Sequence, residues 1–182
     1  MNRKLKLWEL ERPSIETYKK QEKFLITLVL DNIRSLNNVG TFFRTADAFN
    51  VEKIIICGIT AQPPHREIQK TALGATESVE WEYQESIVEA VQQLKDESYS
   101  ICAVEQTKKT TLLQDFKPSR TQKYALVMGN EVDGVQQEVI DIADQIIEVP
   151  QFGTKHSLNV SVCAGVVLWE IVRVFAEEKK SS

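Results

Sequence analysis

Cysteine, histidine and long apolar runs are all scarce in this 182-residue chain, and each scarcity narrows the classes of protein it can be. Its three cysteines, Cys57, Cys102 and Cys163, are odd in number, far apart and each set among apolar residues. That pattern suggests neither a disulfide framework nor a zinc cluster and predicts reduced core thiols. With only His65 and His156 in the chain, a His-rich metal site is disfavoured and a Ser-His-Asp arrangement has few candidates, so no metal is expected. Apolar stretches such as residues 24 to 30 fall far short of the roughly 20 residues a membrane span needs, and no basic–apolar–small-residue leader opens the sequence. A soluble, cytoplasmic protein with no membrane partner is the expectation. Repeats, low-complexity runs and Gly/Ser linkers are absent too, the only breaks in pattern being Pro63-Pro64 and the loop around Pro118. What remains, 42% hydrophobic and 26% charged residues, is the profile of one globular domain with a sizeable core.

A net charge of −4 argues at first against a polyanionic partner, because neutralisation of phosphates by Lys and Arg dominates nucleic-acid affinity. Counted by segment, the charge is segregated. Residues 1 to 23 hold seven Lys or Arg against four Glu, and residues 107 to 123 hold five against Asp115 alone. Residues 131 to 148 carry six acids and no Lys or Arg. Such basic runs are either solvated loops or a local stripe able to meet a phosphate backbone.

Short apolar, β-branched runs at 25–30, 53–57, 100–104, 124–128 and 146–149 predict buried strands, with a weaker one at 78–83. Helix patterns lie between them at 38–49, 66–73, 84–97, 135–143 and 157–178. Strands alternating with helices predict an α/β domain with a mostly parallel sheet, whose ligands sit beyond the strand C-termini. Three polar, Gly-containing segments follow strands there: residues 31–44, 129–134 and 150–161. None contains the GxGxxG of a dinucleotide-binding turn, which argues against a Rossmann cofactor site.

Asn38 reads as an N-cap for a helix carrying Val39, Phe42, Phe43, Ala46 and Phe49. Arg44, six residues on, reads from periodicity as a surface or ion-paired residue, yet its apolar neighbours also allow a half-buried guanidinium that needs an acidic or phosphate partner. Gly129 lets a ligand approach the backbone and Glu131 sets a carboxylate at the same rim, although both also suit a tight strand-to-helix turn. The helix pattern over 157–178 begins with Ser157 and Asn159, both able to cap it or to contact a ligand, and is apolar nearly all round, from Leu158 to Phe175. Such a helix is covered on two sides, either within one core or by the sheet and a second subunit.

Taken together, the segments Asn38 to Phe49, Met128 to Gly134 and Val149 to Ser161 resemble the three signature motifs of the SpoU (TrmH) branch of the SPOUT RNA methyltransferases. Their order and their placement after strands make the resemblance specific. It implies a single SPOUT domain over 24–182, preceded by a basic N-terminal extension over 1–23, with a deep trefoil knot in its C-terminal part. Knots are otherwise shunned by protein chains. It further implies a homodimer, S-adenosylmethionine as cofactor, and methylation of a ribose 2′-hydroxyl in tRNA or rRNA. By the same carry-over, Asn38, Arg44, Glu131, Ser157 and Asn159 are the polar active-site set. Main-chain groups at Gly129, Val149 and Leu158 hold the cofactor, with Glu105 as a further contributor. Family proposals make Arg44 a general base. An arginine pKa above 12 favours instead a clamp on the adjacent phosphate that also polarises the 2′-hydroxyl. Glu131 is expected to orient Arg44 or Asn159. Two rivals stand beside this reading: a base methyltransferase of the same superfamily, and a non-catalytic RNA-binding or assembly factor that keeps the knot.

Overall fold

The apolar runs form the strands expected of them. In the computed structural model, which describes residues 2–181, the strands are β1 (Phe24–Asp31), β2 (Val51–Cys57), β3 (Glu80–Gln84), β4 (Tyr99–Val104), β5 (Thr111–Leu112), β6 (Lys123–Met128) and β7 (Gln145–Glu148). Met1 and Ser182, the outermost residues of the expected extension and domain, lie outside the described residues. The strands make one sheet in the order β3-β2-β1-β6-β4-β7-β5, with every neighbouring pair parallel. The two-residue β5 was not expected, since a Thr-Leu pair carries no apolar run.

Both faces of the sheet are covered, which is why its strands read as continuous apolar runs rather than alternating ones. On one face Ile26, Leu28 and Leu30 of β1 pack with Phe42 and Phe43 of α2 (Leu36–Ala48) and with Val167, Leu168 and Ile171 of α7 (Val160–Ser181). On the other, Val29, Ile101 and Val127 meet Val91 and Leu94 of α5 (Ile87–Asp96) and Val139 of α6 (Gln137–Ile142). The remaining helices are α1 (Ile15–Lys20), α3 (Arg66–Ala72) and α4 (Ala75–Ser78). No described helix is long and apolar enough to cross a membrane.

Two helix starts differ from expectation. The N-cap of α2 is Ser35, whose Oγ accepts the Asn38 N–H at 3.3 Å, so Asn38 sits inside the first turn and its side chain is released for other partners. Helix α7 begins at Val160, and Asn159 is its cap: its Oδ1 accepts the N–H groups of Ser161 at 3.0 Å and Val162 at 3.3 Å. The apolar circumference of α7 divides into two sides. Ala164, Val167, Leu168, Ile171 and Phe175 are buried in the core, whereas Val162, Val166 and Trp169 are exposed.

Helix α1 is tied to the N-terminal edge of the sheet. Ser14 caps it, the Tyr18 hydroxyl donates to the Ala46 carbonyl at 3.4 Å, and Gln21 and Lys23 both donate to Asn50 Oδ1, at 2.6 and 3.0 Å.

Candidate active site

Because all strands are parallel, the segments after β1, β4, β6 and β7 share one rim of the sheet, and there the chain gathers its polar side chains. The hub is Asn38, 7% exposed. Its Nδ2 donates to Glu131 Oε1 at 2.9 Å, while its Oδ1 accepts from Asn159 Nδ2 at 3.1 Å and from Ser161 Oγ at 3.3 Å. One amide therefore joins the segments after β1, β6 and β7. The Ser161 hydroxyl also lies 2.7 Å from Asn159 Oδ1, which closes a small ring of side chains.

Glu131 is held by more than Asn38. Its carboxylate accepts the backbone N–H groups of Arg34 at 2.9 Å and Ser35 at 3.0 Å. Burial pushes its carboxyl pKa up, but the hydrogen bonds from Arg34, Asn38 and Ser35 together outweigh it and hold the carboxyl below its ordinary value. A depressed folded-state pKa gives stability that is present above the unfolded value, about 4.3, and is lost as pH falls through the folded value. Wild type is therefore expected to be more stable than Glu131→Gln at pH 7, with the difference shrinking below about pH 4. Urea unfolding of both proteins between pH 3 and pH 7 checks this, and a gap that persists unchanged at the acid end would contradict it. Glu131 makes no direct hydrogen bond to Arg44 or Asn159 among the described residues: its side-chain partner is Asn38, and Asn38 carries the contact onward to Asn159.

Beneath this ring the segment after β6 is fixed by two carboxylates. Fully buried Asp31 accepts the Gln136 N–H at 2.9 Å, Gln136 Nε2 at 2.7 Å and Asn32 Nδ2 at 2.9 Å. Glu105 accepts the N–H groups of Val135 at 3.1 Å and Gln106 at 2.7 Å. The backbone of Asn130 and Gly134 pairs in both directions at 3.0 Å, and a Cβ on Gly129 would overlap the Gly134–Val135 peptide. Glycine at 129 thus serves the tightness of its own loop. Gly134, at φ +72°, occupies the left-handed region, and a side chain there would strike the Glu105 carboxylate.

Against these loops lies a cavity of about 600 Å³, of the size that takes a cofactor. Gly129, Val149, Leu158 and Glu105 all line it, as do Glu131, Ser157 and Asn159. Ser157 is exposed and makes no hydrogen bond to the described residues. Arg44 is outside the ring: it is exposed rather than half-buried and has no hydrogen-bonding or ionic partner among the described residues. Burial pushes the thiols of Cys57 and Cys102 up to about 12 and that of Cys163 up to about 11, which suits reduced, unreactive cysteines. Among the described residues no three His, Cys, Asp or Glu side chains gather as a metal site requires.

The stretch of chain that builds this rim is similar to known proteins. The SpoU rRNA Methylase family matches residues 25–169. This chain belongs to that family. A relative in Neisseria meningitidis serogroup B, the 23S rRNA (guanosine-2′-O-)-methyltransferase RlmB, is 33% identical over 156 residues, covering 85% of this chain and 61% of the relative. The crystal structure of the A. aeolicus TrmH/SpoU tRNA modifying enzyme superposes with a TM-score of 0.79 at 28% identity, covering 91% of this chain and 82% of that one. An AdoMet-bound rRNA methyltransferase from Sinorhizobium meliloti shares the fold, with a TM-score of 0.77 at 23% identity over 88% of this chain and 59% of that one. The chain spans about three-fifths of the length of the first curated relatives it matches.

Sequence reasoning missed Ser161, Asp31, Asn130 and Gln136. Ser161 is 5% exposed in the first turn of α7, and its place at the end of the third motif was the signal that could have found it. Asn130, in the second motif, donates to the Asn32 carbonyl at 2.7 Å and accepts from Val132 and Asp133, which gives the loop its shape. The roles of Asp31 and Gln136 depend on each other across 105 residues and left no local mark.

Proposed function

We propose that this chain methylates a ribose 2′-hydroxyl in tRNA or rRNA, with S-adenosylmethionine held in the cavity beside Asn38. The observation that carries the reading is the hydrogen bonding of Asn38 to Glu131, Asn159 and Ser161, which unites the three SpoU motifs at the cavity wall.

The lining suits the cofactor. Val149 and Leu158 offer apolar surface to an adenine ring, and Glu105 and Asp133 give the cavity the negative charge that a cationic sulfonium would favour. The Leu158 main chain has no hydrogen-bond partner among the described residues, so its N–H and C=O are available to a ligand. When bound, the cofactor supplies an electrophilic methyl group. The chain's own residues do the rest by positioning, which for a two-reactant step supplies much of the acceleration. Arg44, cationic and without a partner among the described residues, clamps the phosphate next to the target ribose and polarises its 2′-hydroxyl, stabilising the oxyanion as it forms. Ser157 orients the ribose or the cofactor at the cavity mouth. Asn38 and Glu131 keep Asn159 and the segment before α7 in place.

The same reading covers the chain's wider organisation: an extension over 1–23 and a SPOUT domain over 24–182. A C-terminal knot is supported by the chain path. After β7, which lies beyond β6 and β4 from β1, the chain passes Gln106, whose side chain donates to the His156 carbonyl at 3.4 Å, and returns to meet Asn38. A homodimer is supported by the exposed Val162, Val166 and Trp169 side of α7, an apolar stripe that a second copy would cover. RNA contact falls to the basic segments 1–23 and 107–123.

Incubation with labelled S-adenosylmethionine and RNA from cells lacking this gene tests the function. Nuclease digestion followed by mass spectrometry is expected to yield a 2′-O-methylnucleoside. A base-methylated product, or no incorporation into tRNA or rRNA, overturns the proposal.

A further inference from the structure

The family match begins at residue 25, and ahead of it the chain builds a small structure of its own. Residues Leu7–Glu9 form a single 3-10 turn. Glu9 staples it: its carboxylate accepts the Lys6 N–H at 2.8 Å and both terminal nitrogens of Arg3, at 3.0 and 2.6 Å. This arrangement holds the Trp8 indole out in solvent at 76% exposure, with Lys6 Nζ 4.9 Å from the ring centroid. The ring thus offers a large apolar face whose backbone is already ordered, so a ligand that covers it gains apolar burial without first having to order that turn. Lys6 covers only part of the ring.

We infer that Trp8 is a stacking platform for an unpaired base of the RNA substrate, with the neighbouring basic residues meeting the phosphates on either side. The inference rests on the proposed RNA partner and specifies how that partner is gripped. Two features select RNA over a second copy of the chain. Residues 1–23 carry seven Lys or Arg against four Glu, and a two-fold contact would set this positive segment against itself. An aromatic face flanked by cations is also the chemistry that single-stranded nucleic acid recognises, because every base has a π-face and every linkage a negative charge. The segment leaves the domain at the N-terminal edge of the sheet, the length of β1 or about 25 Å from the active-site rim.

The probe is a hairpin RNA with an eight-nucleotide uridine loop, compared with a blunt duplex of the same stem, both titrated into the full chain without cofactor. Wild-type tryptophan fluorescence is expected to be quenched by the hairpin. Trp8→Phe is expected to lose that quenching while keeping its affinity, since phenylalanine still stacks. Trp8→Ala is expected to bind the hairpin about tenfold more weakly and the duplex unchanged. Hairpin affinity unaltered in Trp8→Ala overturns the inference, as does a change in self-association by sedimentation with no change in RNA affinity. A chain that methylates RNA equally well with alanine at position 8 loses this inference and keeps its proposed function. A chain that grips the hairpin through Trp8 but transfers no methyl group does the reverse.

Discussion

Arg44→Ala is expected to slow single-turnover methyl transfer by about 10²–10³-fold, the loss seen when one preorganised donor to a developing oxyanion is removed. Stability should hardly move. Arg44 is exposed and has no partner among the described residues, so its removal breaks nothing in the fold and belongs with surface changes of about 0.5 kcal/mol or less. A large kinetic effect without a stability effect marks a side chain kept for a ligand. Arg44→Lys then separates its two possible duties. A phosphate clamp keeps the charge, so the pH profile of the single-turnover rate should retain its shape at a reduced height. A general base would be replaced by one of lower pKa, and the profile would shift. Full activity in Arg44→Ala would remove Arg44 from the site altogether.

Asn38→Ala has the opposite signature, with both activity and stability falling. The substitution takes an acceptor from Asn159 and from buried Ser161 and a donor from Glu131. A buried polar group left unpaired costs about 1–3 kcal/mol, and for a chain of this size that is a fall of several degrees in Tm. Methyl transfer should decline by about 10²-fold or more, because the segment before α7 and the Glu131 loop lose their common anchor. Asn38→Asp sharpens the test. Its carboxylate still accepts from Asn159 and Ser161 but cannot donate to Glu131, and it sets two negative groups face to face. It should be at least as destabilising as alanine above pH 5 and recover in acid as one carboxyl takes up a proton. Thermal melts of the three proteins between pH 4 and pH 8 decide it, and equal melts throughout would show that Asn38 holds nothing together.

The contrast between these residues shows where the sequence was readable. Runs such as LITLVL and YALVM announced β1 and β6 because burial on both faces leaves an apolar signature in the residues themselves. The motif order pointed to the rim where the polar side chains gather, and Gly129, Val149, Leu158 and Glu105 line a cavity there. Asn38 was legible as a polar residue at a helix start but misread as a cap, since Ser35 three residues earlier is an equally good one and local pattern cannot choose between them. Glu105 was read as a ligand contact, and it does line the cavity, but one of its oxygens also accepts from Val135 in the loop after β6 and the other from its own neighbour Gln106. Helix α1 escaped notice because Tyr18 is its only buried residue. In each case the missing information was a tertiary partner.

The ring around Asn38 also bears on when the site comes into being. Its hydrogen bonds join residues 93, 121 and 123 positions apart, so each closes a loop spanning most of the chain. The entropic cost of such closure grows only slowly with loop length, but the closure must wait for everything between. During synthesis Asn38 and Glu131 emerge long before Ser161, and Asn38 has no acceptor duty to fulfil until α7 docks. The ring is thus incomplete in the nascent chain until α7 is made, and the docking of α7 is the event that closes it.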